Sequence, residues 1–201
     1  MKRIILLASV VCVMQSAFGQ ATYEKSIELQ GGPALDSYTK YSVGASTTHG
    51  ARIDNFFIGA GAGFRYTNAL YYSSYRSYYQ YGSLQSESYE SYDGKYLIPI
   101  YVRASYRFGS SAVKPMISFD LGTTIDVGQN QEYKNTEGLF YEPAVGLNIS
   151  IDEKTTMFIS VGLNYQSSHH TYYSTSYYSG ASTEEIKGMA STLNFKLGLT
   201  F

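Results

Sequence analysis

The sequence predicts an all-β protein, a single eight-stranded antiparallel up-and-down barrel of the transmembrane type. Three observations carry this prediction. Apolar and polar residues alternate with period two over most of the chain, the alternating segments are mostly about 10 to 13 residues long, and short connections alternate with long ones. Such alternation is typical of strands whose two faces meet different surroundings.

Composition narrows the class of protein before any motif is considered. The chain has 201 residues, of which 44% are apolar and only 15% are charged, below the roughly 25% of an ordinary soluble domain. A net charge of −1 argues against a basic face for nucleic acid. Past residue 19 no apolar run approaches the roughly 20 residues of a membrane helix, whereas alternating barrel strands average to the mean hydropathy of −0.20 seen here.

The first 19 residues have the features of a signal peptide. Lys2 and Arg3 precede the apolar stretch 4–14, and Ala17 and Gly19 supply the small residues that favour cleavage before Gln20. We therefore expect a signal peptide over 1–19 and one barrel domain over 20–201. Cys12, the one cysteine, lies within the apolar stretch after Val11, which disfavours a lipoprotein and leaves the exported domain without disulfides.

Alternation is clearest in the last segment, where Leu193, Leu197 and Leu199 share one face and Asn194 and Lys196 share the other. A strand that crosses a bilayer at a tilt needs roughly 9–11 residues, whereas globular strands average about 5–6. Segment length therefore favours a membrane barrel over a soluble sandwich. The eight predicted segments lie near 27–30, 41–46, 56–66, 97–108, 115–127, 141–151, 157–166 and 192–201.

The connections between these segments alternate in length. Short periplasmic turns and long extracellular loops are the pattern of outer-membrane barrels. With eight strands, both chain ends fall on the short-turn side, as expected for a chain that inserts from the periplasm. The predicted turns are 50–54, 109–113 and 152–155, and the predicted loops are 33–40, 67–95, 128–138 and 167–188.

In lipid the apolar face points outward, so the polar face is predicted to line the lumen. An eight-stranded barrel is only wide enough to be filled by side chains, and an unpaired buried charge is very costly. We therefore expect a network of ion pairs that plugs the lumen, with a charged pathway for small ions as the alternative. The charged residues on this face are Glu28, Arg65, Arg103, Arg107, Asp120, Asp126, Glu142 and Lys196.

Prolines and aromatic residues add two further expectations. Pro99, Pro115 and Pro143 each remove a donor from the strand ladder, so we expect all three near strand ends. Aromatic residues on the outward face collect at both ends of the segments and predict two girdles at the bilayer boundaries. These residues are Phe56, Phe108 and Phe201 at the turn end and Tyr41, Tyr66, Tyr141 and Tyr165 at the loop end.

The signal peptide, the eight amphipathic segments and a last strand that ends in Phe201 resemble the small outer-membrane barrels of the OmpA, OmpX and opacity type, often labelled porin-family or outer-membrane β-barrel domain proteins. The resemblance covers about 27–201. In that family the barrel-assembly machinery recognises the terminal aromatic residue and the alternating hydrophobic residues before it, which match Phe201, Leu199 and Leu197. A glycine often stands five residues before the end, where this chain has Lys196. The resemblance implies an outer-membrane location and no single activity.

The search for chemistry yields no predicted catalytic residue, metal site or cofactor. His169 and His170 are adjacent, but a metal site would need further ligands, for which Glu184 and Glu185 are the nearest candidates. An outer-membrane lipid-modifying enzyme would need a serine, a histidine and an acid. Ser167 or Ser168 with His169 and Glu142 could be placed in those roles, but adjacent serines in a low-complexity loop are poor candidates for a held nucleophile.

Tyrosine is strongly enriched, with 22 copies, and most of them lie in the long connections. Tyr and Ser together make adaptable recognition surfaces, and the same residues also suit strands that extend beyond the membrane. We expect a structural or surface-recognition protein with lipid, the assembly machinery and an extracellular ligand as partners; a porin-like channel and a lipid-modifying enzyme are the alternatives. The candidate recognition residues are Tyr71, Tyr72, Tyr75, Tyr78, Tyr79, Tyr81, Tyr89, Tyr92, Tyr172, Tyr173, Tyr177 and Tyr178.

Overall fold

The computed structural model describes residues 21–36, 39–80, 83–127, 137–176 and 180–201, with side chains described outside 69–93, 137 and 168–187. No helix in these ranges is long and apolar enough to cross a bilayer. The predicted signal peptide lies outside the described residues. Eight strands follow one another in chain order: β1 (Thr22–Pro33), β2 (Thr39–Ile53), β3 (Phe56–Gln80), β4 (Ser83–Arg107), β5 (Val113–Val127), β6 (Glu137–Ser150), β7 (Thr156–Ser176) and β8 (Gly180–Thr200).

The strands form a closed antiparallel barrel in which each pairs with its neighbours in sequence and β1 pairs with β8. The closing register runs from Ser26 opposite Thr200 to Gly31 opposite Phe195. Beyond it, Phe201 and Lys25 exchange two backbone hydrogen bonds of 2.8 and 3.0 Å. A closed barrel has no free edge, which is what hydrocarbon surroundings require, because an unpaired backbone group there costs several kcal/mol. The predicted fold class is confirmed.

Two of the predicted loops, 67–95 and 167–188, consist mostly of paired strands, which agrees with the alternative that the strands continue into these segments. β3 and β4 stay paired out to Gln80 opposite Ser83, and β7 and β8 stay paired out to Ser176 opposite Gly180. These segments are rich in Tyr, Ser and Thr, which tolerate or favour extended backbone, and continued pairing satisfies the backbone groups. The two β-hairpins therefore extend the barrel wall. β3 and β7, which are not neighbours in the barrel, are also in contact.

The opposite rim, called the turn end here, carries the short connections and both described chain ends. The first connection is shorter than predicted, because β2 continues to Ile53 and the turn consists of residues 54–55 only. Asp54 has a φ of 51° there, a left-handed conformation that Asp tolerates. In the turn after β6, the Asp152 carboxylate accepts the backbone N–H groups of Lys154 and Thr155, each at 2.7 Å, which lowers its pKa below the usual range.

Two of the three prolines do not lie near strand ends, which corrects the expectation. Pro99 lies within β4 and Pro143 at the middle of β6, and only Pro115 lies near the start of its strand. The β3–β4 ladder lapses between Ala62–Ile100 and Arg65–Leu97, beside Pro99, while Pro99 stays paired with Thr124 on β5. The β6–β7 ladder lapses in the same way beside Pro143, which keeps its partner on β5. Each proline thus turns its missing donor toward one neighbour and preserves the ladder to the other.

The outer wall is apolar and is bounded by aromatic residues. At the hairpin end Tyr66 lies between Tyr41 and Tyr96, with ring centroids 6.2 and 5.4 Å apart, and Tyr141 stacks on Tyr165 at 5.0 Å. Apolar side chains that point outward are the arrangement expected in hydrocarbon. Half-exposed residues of this wall include Ile27, Leu29, Val43, Phe64, Ile100, Val102, Phe119, Leu121, Val145, Ile159, Phe195 and Leu197.

Glycines on the inner wall make room for aromatic rings that lie in the lumen. A Cβ atom on Gly61 would lie 2.5 Å from the Tyr101 ring, and one on Gly198 would lie 2.4 Å from the Phe158 ring. Both distances are below any real contact, so no larger residue fits without moving a ring that is itself packed. In the lumen, each of these rings therefore fills the space left by a glycine on a neighbouring strand.

We predict that Gly61→Ala destabilises the barrel, because the new methyl group meets the Tyr101 ring. Overpacking of this kind costs about 1–3 kcal/mol, and urea unfolding of the protein refolded into phospholipid vesicles measures it. The matched control is Ala62→Val, which enlarges the next residue of β3 on the outer wall and should leave the free energy of unfolding almost unchanged. Equal losses for the two variants would contradict the packing assigned to Gly61.

Candidate functional site

The centre of the lumen is occupied by Arg103, whose guanidinium group bridges two carboxylates. Its Nη1 and Nη2 atoms donate to Glu28 Oε2 and Oε1 at 2.6 and 2.9 Å. Its Nε and Nη2 atoms donate to Asp120 Oδ1 and Oδ2, both at 2.7 Å. Two bidentate pairs on one guanidinium fix its plane, because the fork geometry of Arg matches a carboxylate on each side.

Lys196 links this pair to a third carboxylate. Its Nζ atom lies 2.8 Å from Asp120 Oδ2, 2.6 Å from Glu142 Oε1 and 4.0 Å from Glu28 Oε1. All of these side chains are almost completely buried. A buried ammonium group is tolerated only when it is surrounded by compensating oxygen atoms, and Lys196 has three carboxylates around it.

Glu142 is held by amide groups as well as by Lys196. Asn164 and Asn194 each donate an Nδ2 hydrogen bond of 2.9 Å to its Oε2 atom. Arg65 lies farther away, with Nη2 3.9 Å from Glu142 Oε2, and donates to Asn164 Oδ1 at 3.3 Å. The Arg65 guanidinium group also lies over the Phe140 ring, 5.6 Å from its centroid.

These contacts form one layer across the barrel, which we call the charge layer. It contains three acids and three bases, so its formal charge is zero. Every strand contributes to it, because Ser46 of β2 donates to Glu28 at 2.7 Å and Asn164 belongs to β7. Its charged members, in chain order, are Glu28, Arg65, Arg103, Asp120, Glu142 and Lys196.

Aromatic and apolar side chains close the lumen on the hairpin side of the charge layer. The Tyr101 hydroxyl group lies 3.1 Å from Ser46 Oγ and 3.0 Å from Thr48 Oγ1, and its ring meets Phe140 edge-on at 6.2 Å. Phe140 and Leu97 are 2% and 1% exposed. This filling is what an eight-stranded barrel allows, because its lumen has room for side chains only.

A second ionic group, the turn-end cluster, lies on the other side of the charge layer. Glu24 contacts Arg52 through both Nε and Nη2, the latter at 2.7 Å, and accepts a 3.0 Å hydrogen bond from Arg107 Nη2. The cluster carries two bases against one acid. Between it and the charge layer is a cavity of about 30 Å³, bordered on one side by Arg103 and Lys196 and on the other by Arg52 and Arg107.

The structure brings six of the eight predicted lumen charges together and separates the other two. Arg107 belongs to the turn-end cluster, and Asp126 is half-buried farther toward the hairpin end of β5. Sequence reasoning missed Glu24 and Arg52. Arg52 falls within the predicted turn 50–54, and Glu24 lies before the first predicted segment. Extending the alternation outward from Glu28 and Ser46 would have placed both on the inner face.

The remaining candidate residues divide by position. Leu197 and Leu199 lie half-exposed on the outer wall, and Phe201 follows them at the turn end. Tyr81, Tyr177 and Tyr178 lie outside the described residues. The backbone of the other candidate tyrosines belongs to the two long hairpins, as do His169 and His170 of β7. Among the residues with described side chains, no group of three or more His, Cys, Asp or Glu side chains could hold a metal ion.

Comparisons with known proteins support the fold and identify no family. No protein-family model matches the sequence, and no curated protein matches it in sequence. The chain is similar in structure to Neisserial surface protein A, with 14% identity over 90% of this chain and 97% of that one and a TM-score of 0.52. It is also similar to the outer membrane protein OprG from Pseudomonas aeruginosa, with 8% identity over 88% and 94% and a TM-score of 0.57. At these identities the likeness supports the transmembrane barrel fold.

We predict that Arg103→Met destabilises the barrel by about 3–5 kcal/mol, because it leaves Glu28 and Asp120 buried with too little positive charge. Adding Glu28→Gln should recover part of this loss, since the charge layer of the double variant is neutral again. Urea unfolding in vesicles of both single variants and the double variant gives the coupling energy. Losses that simply add would show that Arg103 and Glu28 do not act together.

Proposed function

We propose that this chain is an integral outer-membrane barrel protein of the OmpA, OmpX and opacity type, in which the barrel is a sealed scaffold and the Tyr- and Ser-rich hairpins serve surface recognition. The observation that carries the proposal is the division of the molecule along its axis. The lumen is filled and neutral at the charge layer, whereas two hairpins extend past the aromatic belt of the outer wall.

The filled lumen disfavours the channel alternative. Arg103, Lys196 and their carboxylates occupy the middle of the barrel, with Leu97 and Phe140 on one side of them. Conduction would require these ion pairs to break, which would leave buried charges without a partner of opposite sign. We therefore do not propose a porin-like activity.

The structure disfavours the enzyme alternative, because Glu142, its candidate acid, is engaged elsewhere. Glu142, proposed for a triad with His169, is 1% exposed and is bound to Lys196, Asn164 and Asn194 in the lumen. An acid engaged in this way does not orient a histidine at a surface. No catalytic residue is proposed.

The partners follow from the two ends and the wall. The apolar outer wall fits lipid, and the exposed pattern of Leu197, Leu199 and Phe201 on the last strand fits recognition by the barrel-assembly machinery during insertion. A signal peptide over 1–19 would direct export. The hairpin end would then face the outside of the cell and the turn end the periplasm.

This orientation is tested by labelling single cysteines, because Cys12 is the one cysteine of the chain and lies in the proposed signal peptide. We predict that a membrane-impermeant maleimide reagent labels Ser83→Cys, at the β3–β4 hairpin, on intact cells. Ser110→Cys, in the exposed turn between β4 and β5, should react only after the outer membrane is permeabilised. Labelling of Ser110→Cys on intact cells would reverse the orientation.

Recognition is tested by shortening a hairpin at a paired position. Leu70 is opposite Tyr92, so replacing residues 71–91 by Asn-Gly closes the strands with a two-residue turn and keeps every contact of the charge layer. We predict that bacteria displaying this variant lose adhesion to immobilised glycans and matrix proteins bound by the parent chain.

A second variant shortens the other hairpin and keeps the barrel. Ser168 is opposite Gly188, so replacing 169–187 by Asn-Gly shortens β7 and β8 in the same way. Both variants should keep the heat-dependent shift in gel migration that reports a folded barrel. Full adhesion by both shortened proteins, or no binding by the parent chain, would contradict a recognition role for the hairpins.

A further inference from the structure

The cavity between the charge layer and the turn-end cluster is lined by more positive than negative charge. Among its lining residues the one acid is Glu24, while the bases are Arg52, Arg103, Arg107 and Lys196. Arg103 and Lys196 are balanced within the neutral charge layer. The turn-end cluster is not balanced, because Glu24 serves both Arg52 and Arg107. One positive charge is therefore left over beside the cavity.

The same cavity contains an unused donor. Asn148 of β6 is 2% exposed and lines the cavity, and its Nδ2 atom has no hydrogen-bond partner among the described residues. A buried amide N–H group without an acceptor costs about 1–3 kcal/mol, so an acceptor at this place would be stabilising. Hydroxyl groups that also line the cavity belong to Ser26, Ser105, Ser118, Ser160 and Thr200.

We propose that this cavity is a binding site for one small monovalent anion such as chloride. Three independent features agree on this class of ligand: the leftover positive charge, the unpartnered Asn148 donor and a volume of about 30 Å³. A water molecule needs roughly 10–15 Å³, so a volume of about 30 Å³ has room for one monatomic anion. The anion would neutralise the turn-end cluster and accept the Asn148 hydrogen bond.

Access to the site is from the turn end. Arg52 and Arg107, which border the cavity there, are 12% and 13% exposed, whereas Arg103 and Lys196 on the other side are 7% and 3% exposed. An anion would thus reach the cavity between two arginines and stop at the charge layer. This site is independent of the proposed recognition by the hairpins, since neither hairpin lines the cavity.

The test is thermal unfolding of the refolded barrel in detergent, in sodium chloride and in sodium gluconate at equal ionic strength. An anion that binds only the folded state raises the unfolding temperature with its concentration, and the effect saturates. We expect this rise with chloride and bromide and no rise with gluconate or sulfate. Asn148→Leu and Arg107→Gln should lose the chloride dependence, and Thr67→Val, on the hairpin side of the charge layer, should keep it.

A second measurement uses the unmodified barrel, so its result does not depend on whether a variant folds. Crystals of the unmodified barrel grown in sodium bromide should show a bromine anomalous peak inside the cavity beside Asn148. Equal unfolding temperatures in chloride and gluconate, or a bromide structure with only water in the cavity, would overturn the proposal.

Discussion

Charge neutrality inside a closed wall is the constraint on which this barrel depends. Closing eight strands leaves a lumen with no room for bulk water, so every ionised side chain there needs a partner of opposite charge. Arg103 meets this need for two carboxylates at once, and Lys196 joins Asp120 to Glu142. Because the participating residues come from all eight strands, the charge layer also holds the circumference together at one level. Breaking one of its pairs would therefore weaken contacts between strands that are distant in sequence.

The outer face of the wall meets lipid and the inner face meets the filled lumen. Both affect which residues the strands carry and how the strands pair. Apolar residues face outward without packing against protein, while Gly61 and Gly198 stand inward where an aromatic ring needs the space. Pro99 and Pro143 show how far the ladder can be disturbed, since each gives up pairing on one side only. Beyond the outward tyrosines of the hairpin end, the outer face no longer needs apolar residues, but the backbone N–H and C=O groups still need hydrogen-bond partners. Continued hairpin pairing supplies them with Tyr and Ser in place of Leu and Val.

Period-two alternation predicts faces, strand order and parity, because each of these follows from the local direction of a side chain. It placed Glu28 and Arg103 on one face without specifying that they would meet, since β1 and β4 are not adjacent and their contact depends on the length of the Arg side chain across the lumen. Arg52 was missed because polar residues near a turn look the same whether the strand has ended or not. The sequence predicts loops at 67–95 and 167–188 because the alternation of apolar and polar residues stops near the outward tyrosines of the hairpin end, although the pairing continues.

The described contacts of the lumen and the two hairpins use different residues. The charge layer, the turn-end cluster and the aromatic filling all use residues that precede Leu70, lie between Tyr92 and Ser168, or follow Gly188. Beyond those positions the described register consists of local pairs between consecutive strands. Sequence changes in the hairpins therefore replace none of the residues that make the described lumen contacts, whereas a change at Arg103 removes contacts with both Glu28 and Asp120. In a barrel built in this way, the hairpin sequence can change without altering the set of charged residues that balances the lumen.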